Sequence, residues 1–189
     1  ASYVLAAWLW FKDHAAWAKY TARFITLSFL GVATYALLPA APPWWASWEV
    51  DKFHGYQVRR SIGDGFEYFH LKFASGILHN GQRISNVTAA LPSLHCAFAT
   101  LVSVTLWPRV RNRFVRVLLV LYPIWMGFSL VLSGEHYVAD ILLGMLYVGI
   151  VVLAWNRIDR WWARTRSERT AVTPGVVAGQ AVPAVPAGR

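Results

Sequence analysis

The sequence predicts an all-α fold, an integral membrane helical bundle, and three observations carry that prediction. The 189-residue chain is 57% hydrophobic with 11 tryptophans, and its mean hydropathy is +0.39, more apolar than an ordinary soluble domain. Its apolar residues gather into four runs of helical length, against the roughly 20 residues that a bilayer span requires. Its basic residues gather in the short connections between those runs. A net charge of +9 raises nucleic acid as a partner, but charge interleaved with apolar runs fits membrane topology and anionic lipid instead.

Ala1 to Phe11 reads as the end of a hydrophobic helix, too short to span alone. The chain opens inside an apolar run without an initiator Met, so preceding helices are expected in a longer protein; no signal-peptide pattern is visible. Lys12 to Lys19 reads as a polar connection, His14 within it as a solvated interfacial histidine. Phe24 to Leu38 is the first complete span, stopped by Pro39 and by Pro42-Pro43. Residues 41–87 form a long excursion. Trp44, Trp45 and Trp48 read as an interfacial aromatic belt. From Ser61 to Leu78, Ile62, Phe66, Phe69, Phe73 and Ile77 recur with one-sided helical spacing. That predicts an amphipathic helix, lying in the interface or packed over the bundle mouth as a lid.

Thr88 to Trp107 is the second full span, entered at Pro92. Pro108 to Arg113 is a tight basic turn. Phe114 to Ser133 is the third span, with a kink expected at Pro123. Ser133-Gly134-Glu135 is a very short turn, and His136 to Trp155 is the fourth span. Arg157 to Arg169 reads as a basic exit along the lipid surface. The membrane-embedded domain is thus placed at 1–169. Residues 170–189, small, Pro/Gly/Val-rich and almost uncharged, read as a disordered tail. The single cysteine, Cys96, excludes an intrachain disulfide and reads as a buried helix residue rather than a thiol nucleophile.

Charge predicts orientation. Lys12, Lys19 and Arg23 precede the first full span; Arg109, Arg111, Arg113 and Arg116 join the second to the third; Arg157, Arg160, Arg164, Arg166 and Arg169 follow the fourth. Alternation places all three groups on one side, and the positive-inside rule makes it cytoplasmic, with the C-terminus. Residues 41–91 and the 133–136 turn fall on the other side. His95, His136 and Asp140 therefore converge at the extracytoplasmic edge, for which the plasma (inner) membrane is the expected location.

Those three residues carry the predicted chemistry. His136 and Asp140 are one helical turn apart, so a carboxylate there can accept the imidazole N–H, fix its tautomer and make the other nitrogen a better nucleophile. His95 follows Pro92 and Ser93, a helix start. Phosphoryl transfer needs a nucleophile, an acid for the leaving oxygen and positive charge for the equatorial oxygens. His136 is the candidate nucleophile, forming a phosphohistidine. His95 is the candidate acid, and later the base that activates the acceptor. Lys52, Arg59, Arg60 and Arg83 are candidate phosphate clamps on the same side, and Ser93 and Asn86 candidate hydrogen-bond donors. Glu135 reads as a loop carboxylate facing water, its alternative being a hydrogen bond to an acceptor hydroxyl or to His95. No HExxH, CxxC or acidic ligand cluster appears, so neither a catalytic metal nor a cofactor is expected.

Pro92-Ser93-Leu94-His95 and Ser129…His136-x-x-x-Asp140 resemble the second and third motifs of the type-2 phosphatidic acid phosphatase superfamily. Pro39-Ala40-Ala41-Pro42-Pro43-Trp44, Ser85-Asn86 and His136-Tyr137-x-x-Asp140 are similar to its inositol phosphorylceramide and sphingomyelin synthase branch. The resemblance spans about residues 20 to 155. It implies a six-helix core, N-terminally incomplete here, the same roles for His136, His95 and Asp140, and a fold shared with vanadium haloperoxidases but without their cofactor. Lys52 and Arg59 keep the spacing of the first motif, with Arg60 where it has proline. Leu130 stands where the third motif has arginine, which favours the synthase-like branch.

The expected function is a metal-independent lipid phosphatase or phosphotransferase acting on a lipid phosphate or phospholipid head group, extending to inositol-phosphate transfer. The alternative is a non-catalytic scaffold or lipid-binding subunit of the same fold. The expected partners are a membrane lipid substrate and the bilayer, with a second copy or another membrane protein as a further partner. A transporter is disfavoured by the absence of an internal repeat.

Overall fold

Among the described residues, six helices and one 3-10 turn have defined bounds. They are α1 (Ser2–Lys12), α2 (His14–Leu37), α3 (Pro43–Glu49), α4 (Leu94–Leu106), the turn Trp107–Arg109, α5 (Arg113–Leu132) and α6 (Val138–Val172). The structure, a computed structural model, describes residues 1–49, 56–61, 68, 70, 72–73, 76–77 and 89–172. Among these there is no strand, only an isolated bridge between Ala40 and Ala89, so the protein is the all-α membrane bundle that its sequence predicts. The amphipathic helix expected over Ser61 to Leu78 falls largely outside the described residues. By contact the chain forms two compact units, Ala1–Val151 and Val152–Arg189.

The polar connection expected at Lys12 to Lys19 contracts to a single residue, Asp13. Its carboxylate accepts the Ala16 N–H at 2.9 Å, capping α2 so that helix resumes at once. That carboxylate also meets Arg109 at 3.1 Å. The Ala16 N–H and the Arg109 guanidinium together hold the Asp13 carboxyl below its ordinary range. His14 is exposed, with its ring 4.1 Å from that of Trp10.

The second predicted span is helical only over Leu94–Leu106, 13 residues, which at 1.5 Å per residue is about 20 Å. Pro92 has no N–H, and Ser93 caps the helix by accepting the Cys96 N–H, so residues 89–93 stay non-helical. α5 covers 20 residues at mean hydropathy 2.0 with 17% of its span buried. An apolar helix so little covered by protein faces lipid. α6 has an apolar stretch at mean hydropathy 2.2 and continues as helix through the basic residues Arg157 to Arg169, where the sequence suggests a separate exit. In the second unit, Thr165 Oγ1 donates to the Trp161 carbonyl at 3.2 Å.

Lipid is as apolar as leucine, so close packing rather than burial from water decides which helices meet. Glycines mark the contacts. A Cβ on Gly31 of α2 would lie 2.5 Å from Leu94 Cδ2, one on Gly127 of α5 2.8 Å from Ile141 Cγ2, and one on Gly144 of α6 2.5 Å from the Ser93 carbonyl oxygen. Cys96, Leu130 and Ile141 form a buried cluster with Met126 and Met145 packed on it. α4, α5 and α6 therefore converge where Ser93 begins α4. Tyr35 Oη donates to the Pro92 carbonyl at 2.8 Å, fixing α2 to the same point.

Candidate active site

The turn between α5 and α6 is built by a glycine. Gly134 has φ +74°, a left-handed conformation that its missing Cβ makes inexpensive. Gly134 N–H returns to the Val131 carbonyl and Glu135 N–H to the Leu130 carbonyl, both at 3.0 Å. That is the pair of bonds of a Schellman ending. The chain leaves α5 and within three residues enters α6, whose first turn Asp140 caps by accepting the Tyr137 N–H at 2.8 Å. A carboxylate at the third helical position bonding back to the cap residue is half of a capping box. His136 is trapped between these two helix ends and is 7% exposed.

His136 Nδ1 lies 2.8 Å from the Ala90 carbonyl oxygen and 3.4 Å from Asp140 Oδ2. A carbonyl can only accept, so Nδ1 carries a proton, and in the neutral ring the lone pair is on Nε2. The sequence assigns the tautomer to Asp140; the structure gives the shorter bond to Ala90, with the carboxylate as a close second partner. Ala90 is held in turn by its own N–H, which donates to the Ala40 carbonyl at 3.1 Å. Asp140 is 3% exposed, and its carbonyl accepts the Ser93 N–H at 3.0 Å. One residue thus faces His136 with its side chain and ties down the start of α4 with its backbone. The adjoining His95 is open to the cavity, and its ring centroid is 6.5 Å from that of His136.

Both histidines line a cavity of about 330 Å³ together with Tyr35, Pro42, Trp44, Ala89, Ala90, Leu94, Phe98 and Glu135. Segment 56–61 closes one side. Val58 N–H donates to Ser47 Oγ at 2.9 Å, Trp48 Nε1 donates to the Val58 carbonyl at 3.3 Å, and Ser61 N–H meets the Ser133 carbonyl at 3.4 Å. Arg60 is thereby brought to Glu135 and Trp44, two residues of the cavity wall. Its Nε pairs with Glu135 Oε1, its Nη2 donates to Glu135 Oε2 at 3.1 Å, and its guanidinium carbon lies 4.6 Å from the Trp44 ring centroid. Glu135 is therefore a cavity-lining partner of arginine and not a carboxylate facing water.

Of the residues singled out from sequence, His95, His136, Asp140 and Arg60 come together. Arg59 is exposed beside Arg60. Ser93 is fully buried as the cap of α4 and does not line the cavity. Lys52, Arg83 and Asn86 lie outside the described residues. Sequence reading missed Ala90, whose role is its carbonyl alone. It also missed Trp44 as a site residue: it lines the cavity, and its buried indole N–H has no acceptor among the described residues. Among those residues no group of three His, Cys, Asp or Glu is placed to hold a metal ion.

Comparison with known proteins supplies the family. The chain matches the PAP2 superfamily, that of the type-2 phosphatidic acid phosphatases, over residues 1–154. It is similar to a phosphoinositol dihydroceramide synthase of Bacteroides thetaiotaomicron, 28% identical over 148 residues, covering 76% of this chain and 46% of that protein. The chain thus spans about half the length of this relative. No solved structure matches it.

Proposed function

Because this chain belongs to the PAP2 superfamily, we propose that it is a membrane lipid phosphotransferase or phosphatase that works through a phosphohistidine on His136. The observation that carries the reading is the Nδ1–H bond to the Ala90 carbonyl, which leaves Nε2 as the basic ring nitrogen. In the first step the Nε2 lone pair attacks phosphorus and the bond to the leaving oxygen breaks. His95, across the cavity, gives that oxygen a proton. The phosphorylated imidazole is cationic, and the Asp140 carboxylate stabilises it. In the second step neutral His95 takes the proton of an acceptor hydroxyl, whose oxygen attacks phosphorus and releases Nε2. Arg60 and the Trp44 indole N–H are the donors proposed for the equatorial oxygens, with Lys52, Arg59, Arg83 and Asn86 as further candidates for the same task; Ser93, buried as a cap, is not one of them.

The donor is a lipid phosphate or phospholipid, handled at the extracytoplasmic face as the basic connections indicate. Similarity to a phosphoinositol dihydroceramide synthase favours a lipid hydroxyl over water as acceptor, and inositol phosphate as a transferred group. The test is phosphorus release and product formation from a panel of lipid phosphates and phospholipids in detergent with EDTA, comparing wild type with His136→Ala. The expected result is a metal-independent product lost at least about 1000-fold in the variant. Free phosphate marks a phosphatase, and a new phosphorylated lipid without it marks a transferase. A product made equally by His136→Ala overturns the mechanism. The absence of any product points to a non-catalytic lipid-binding subunit.

A further inference from the structure

Glu135 has no role in the two-histidine chemistry, yet it belongs to the wall of the cavity. Glu135 lines it beside His95 and His136 and engages Arg60 through both carboxylate oxygens. The side chains are 14% and 19% exposed, so their charges are screened far less than those of a surface pair. Both ends are anchored. Arg60 lies over the Trp44 ring, and Glu135 leaves a turn whose Gly134 carbonyl accepts the Trp44 N–H at 3.2 Å. The carboxylate therefore faces any anion that enters.

We propose that Glu135 determines the charge of the phosphate this site takes, favouring a monoanionic phosphodiester over a dianionic phosphomonoester. This deepens the phosphoryl-transfer reading and rests on it. Glu135 puts a carboxylate in the cavity wall, and its removal lowers the negative potential there by one charge. A diester brings one negative charge and two ester oxygens. A monoester brings a second charge against the carboxylate. At a separation of about 7 Å and an effective dielectric near 20, that extra charge changes relative affinity roughly 10- to 100-fold. A bidentate fork between two anchored side chains also fixes direction, because guanidinium and carboxylate match in plane and spacing.

The experiment is calorimetric titration of the full chain in detergent at pH 8, using inorganic phosphate as the dianion and dimethyl phosphate as the monoanion. Wild type is expected to bind dimethyl phosphate at least as tightly as inorganic phosphate; tighter binding of inorganic phosphate by wild type overturns the proposal without any variant. In Glu135→Gln the ratio is expected to move toward inorganic phosphate by at least about tenfold, and in Glu135→Gln with Arg60→Gln to return. An unchanged ratio in folded Glu135→Gln also overturns it. A companion assay compares kcat/KM for a monoester and a diester lipid, where the same variant is expected to shift the ratio the same way. If neither lipid is turned over in a His136-dependent manner, the phosphoryl-transfer reading fails, while the binding ratio still decides what Glu135 does.

Discussion

Replacing Gly144 with alanine is the sharpest test of how the helices set the two histidines. The added Cβ would lie 2.5 Å from the Ser93 carbonyl oxygen, about 1 Å short of ordinary van der Waals contact. The obstacle is backbone, so no rotamer change relieves it; α6 or the start of α4 must move by several tenths of an ångström. Ser93 N–H bonds the Asp140 carbonyl at 3.0 Å, and His95 follows two residues later, so this displacement separates His95 from His136 directly. Overpacking of this kind costs about 1–3 kcal/mol, and a misplacement near 1 Å of a catalytic group costs roughly 100-fold in rate. The assay is thermal unfolding in detergent alongside kcat/KM on whichever donor shows His136-dependent turnover. Gly144→Ala is expected to lower Tm and to lose roughly 100-fold in kcat/KM while staying folded. Gly149→Ala, with open space around its Cβ, is the control and is expected to keep full activity with a slight gain in helix stability. Wild-type kcat/KM and Tm in Gly144→Ala would refute the claim that this contact spaces the histidines.

Two further substitutions separate charge from structure. Asp140→Asn keeps an oxygen that can accept the Tyr137 N–H, so stability is expected to change by less than about 1 kcal/mol, while kcat falls roughly 100- to 1000-fold for want of a charge beside the ring; an unchanged kcat would remove Asp140 from the proposed mechanism. Gly134→Ala forces a side chain into φ +74° and places a Cβ 2.8 Å from Val58 Cγ1, with an expected loss of about 1–2 kcal/mol for the backbone alone. Gly134→Asn should recover part of that, because asparagine tolerates the left-handed region. Equal melting of all three proteins would show that this turn contributes nothing to stability.

Much of the bundle is legible in the sequence because hydropathy and helix punctuation act locally. Arg113–Leu132 lies within one residue of the predicted third span at either end, and Gly134 announces its end. Pro92-Ser93 announces the start of α4, although apolar content alone extends that span back to Thr88. The break at Asp13 is harder to read, since a run of polar residues looks like a loop until the Ala16 N–H finds its cap. His95, His136 and Asp140 stand out because histidine and aspartate are rare at the mouth of apolar helices. Motif spacing points to Arg59 rather than Arg60, yet it is Arg60 that meets Glu135; the contacts of Val58 and Ser61 with α3 and the turn decide which of the two neighbours faces inward. Ala90 is invisible for a different reason. A carbonyl is common to every residue, so its use as the partner of an imidazole leaves no trace in side-chain identity.

The two acceptors at His136 Nδ1 divide the work of tautomer and charge. In a hydrolase triad one carboxylate does both. Here the nearer acceptor, the Ala90 carbonyl, is neutral and fixed by the backbone bond to Ala40, so it holds the Nδ1–H in place. The carboxylate, 3.4 Å away, also accepts the Tyr137 N–H, which fixes it beside the imidazole. It is therefore suited to stabilise a cation on the ring without taking the proton. Because the same residue caps α6 and accepts from Ser93 through its carbonyl, electrostatic support for one histidine and placement of the other are coupled in Asp140. Loss of charge alone should slow the chemical step with the fold intact, whereas loss of the cap or of the Gly144 contact should disturb the distance between the rings. These are separable signatures, the first in kcat without Tm and the second in both.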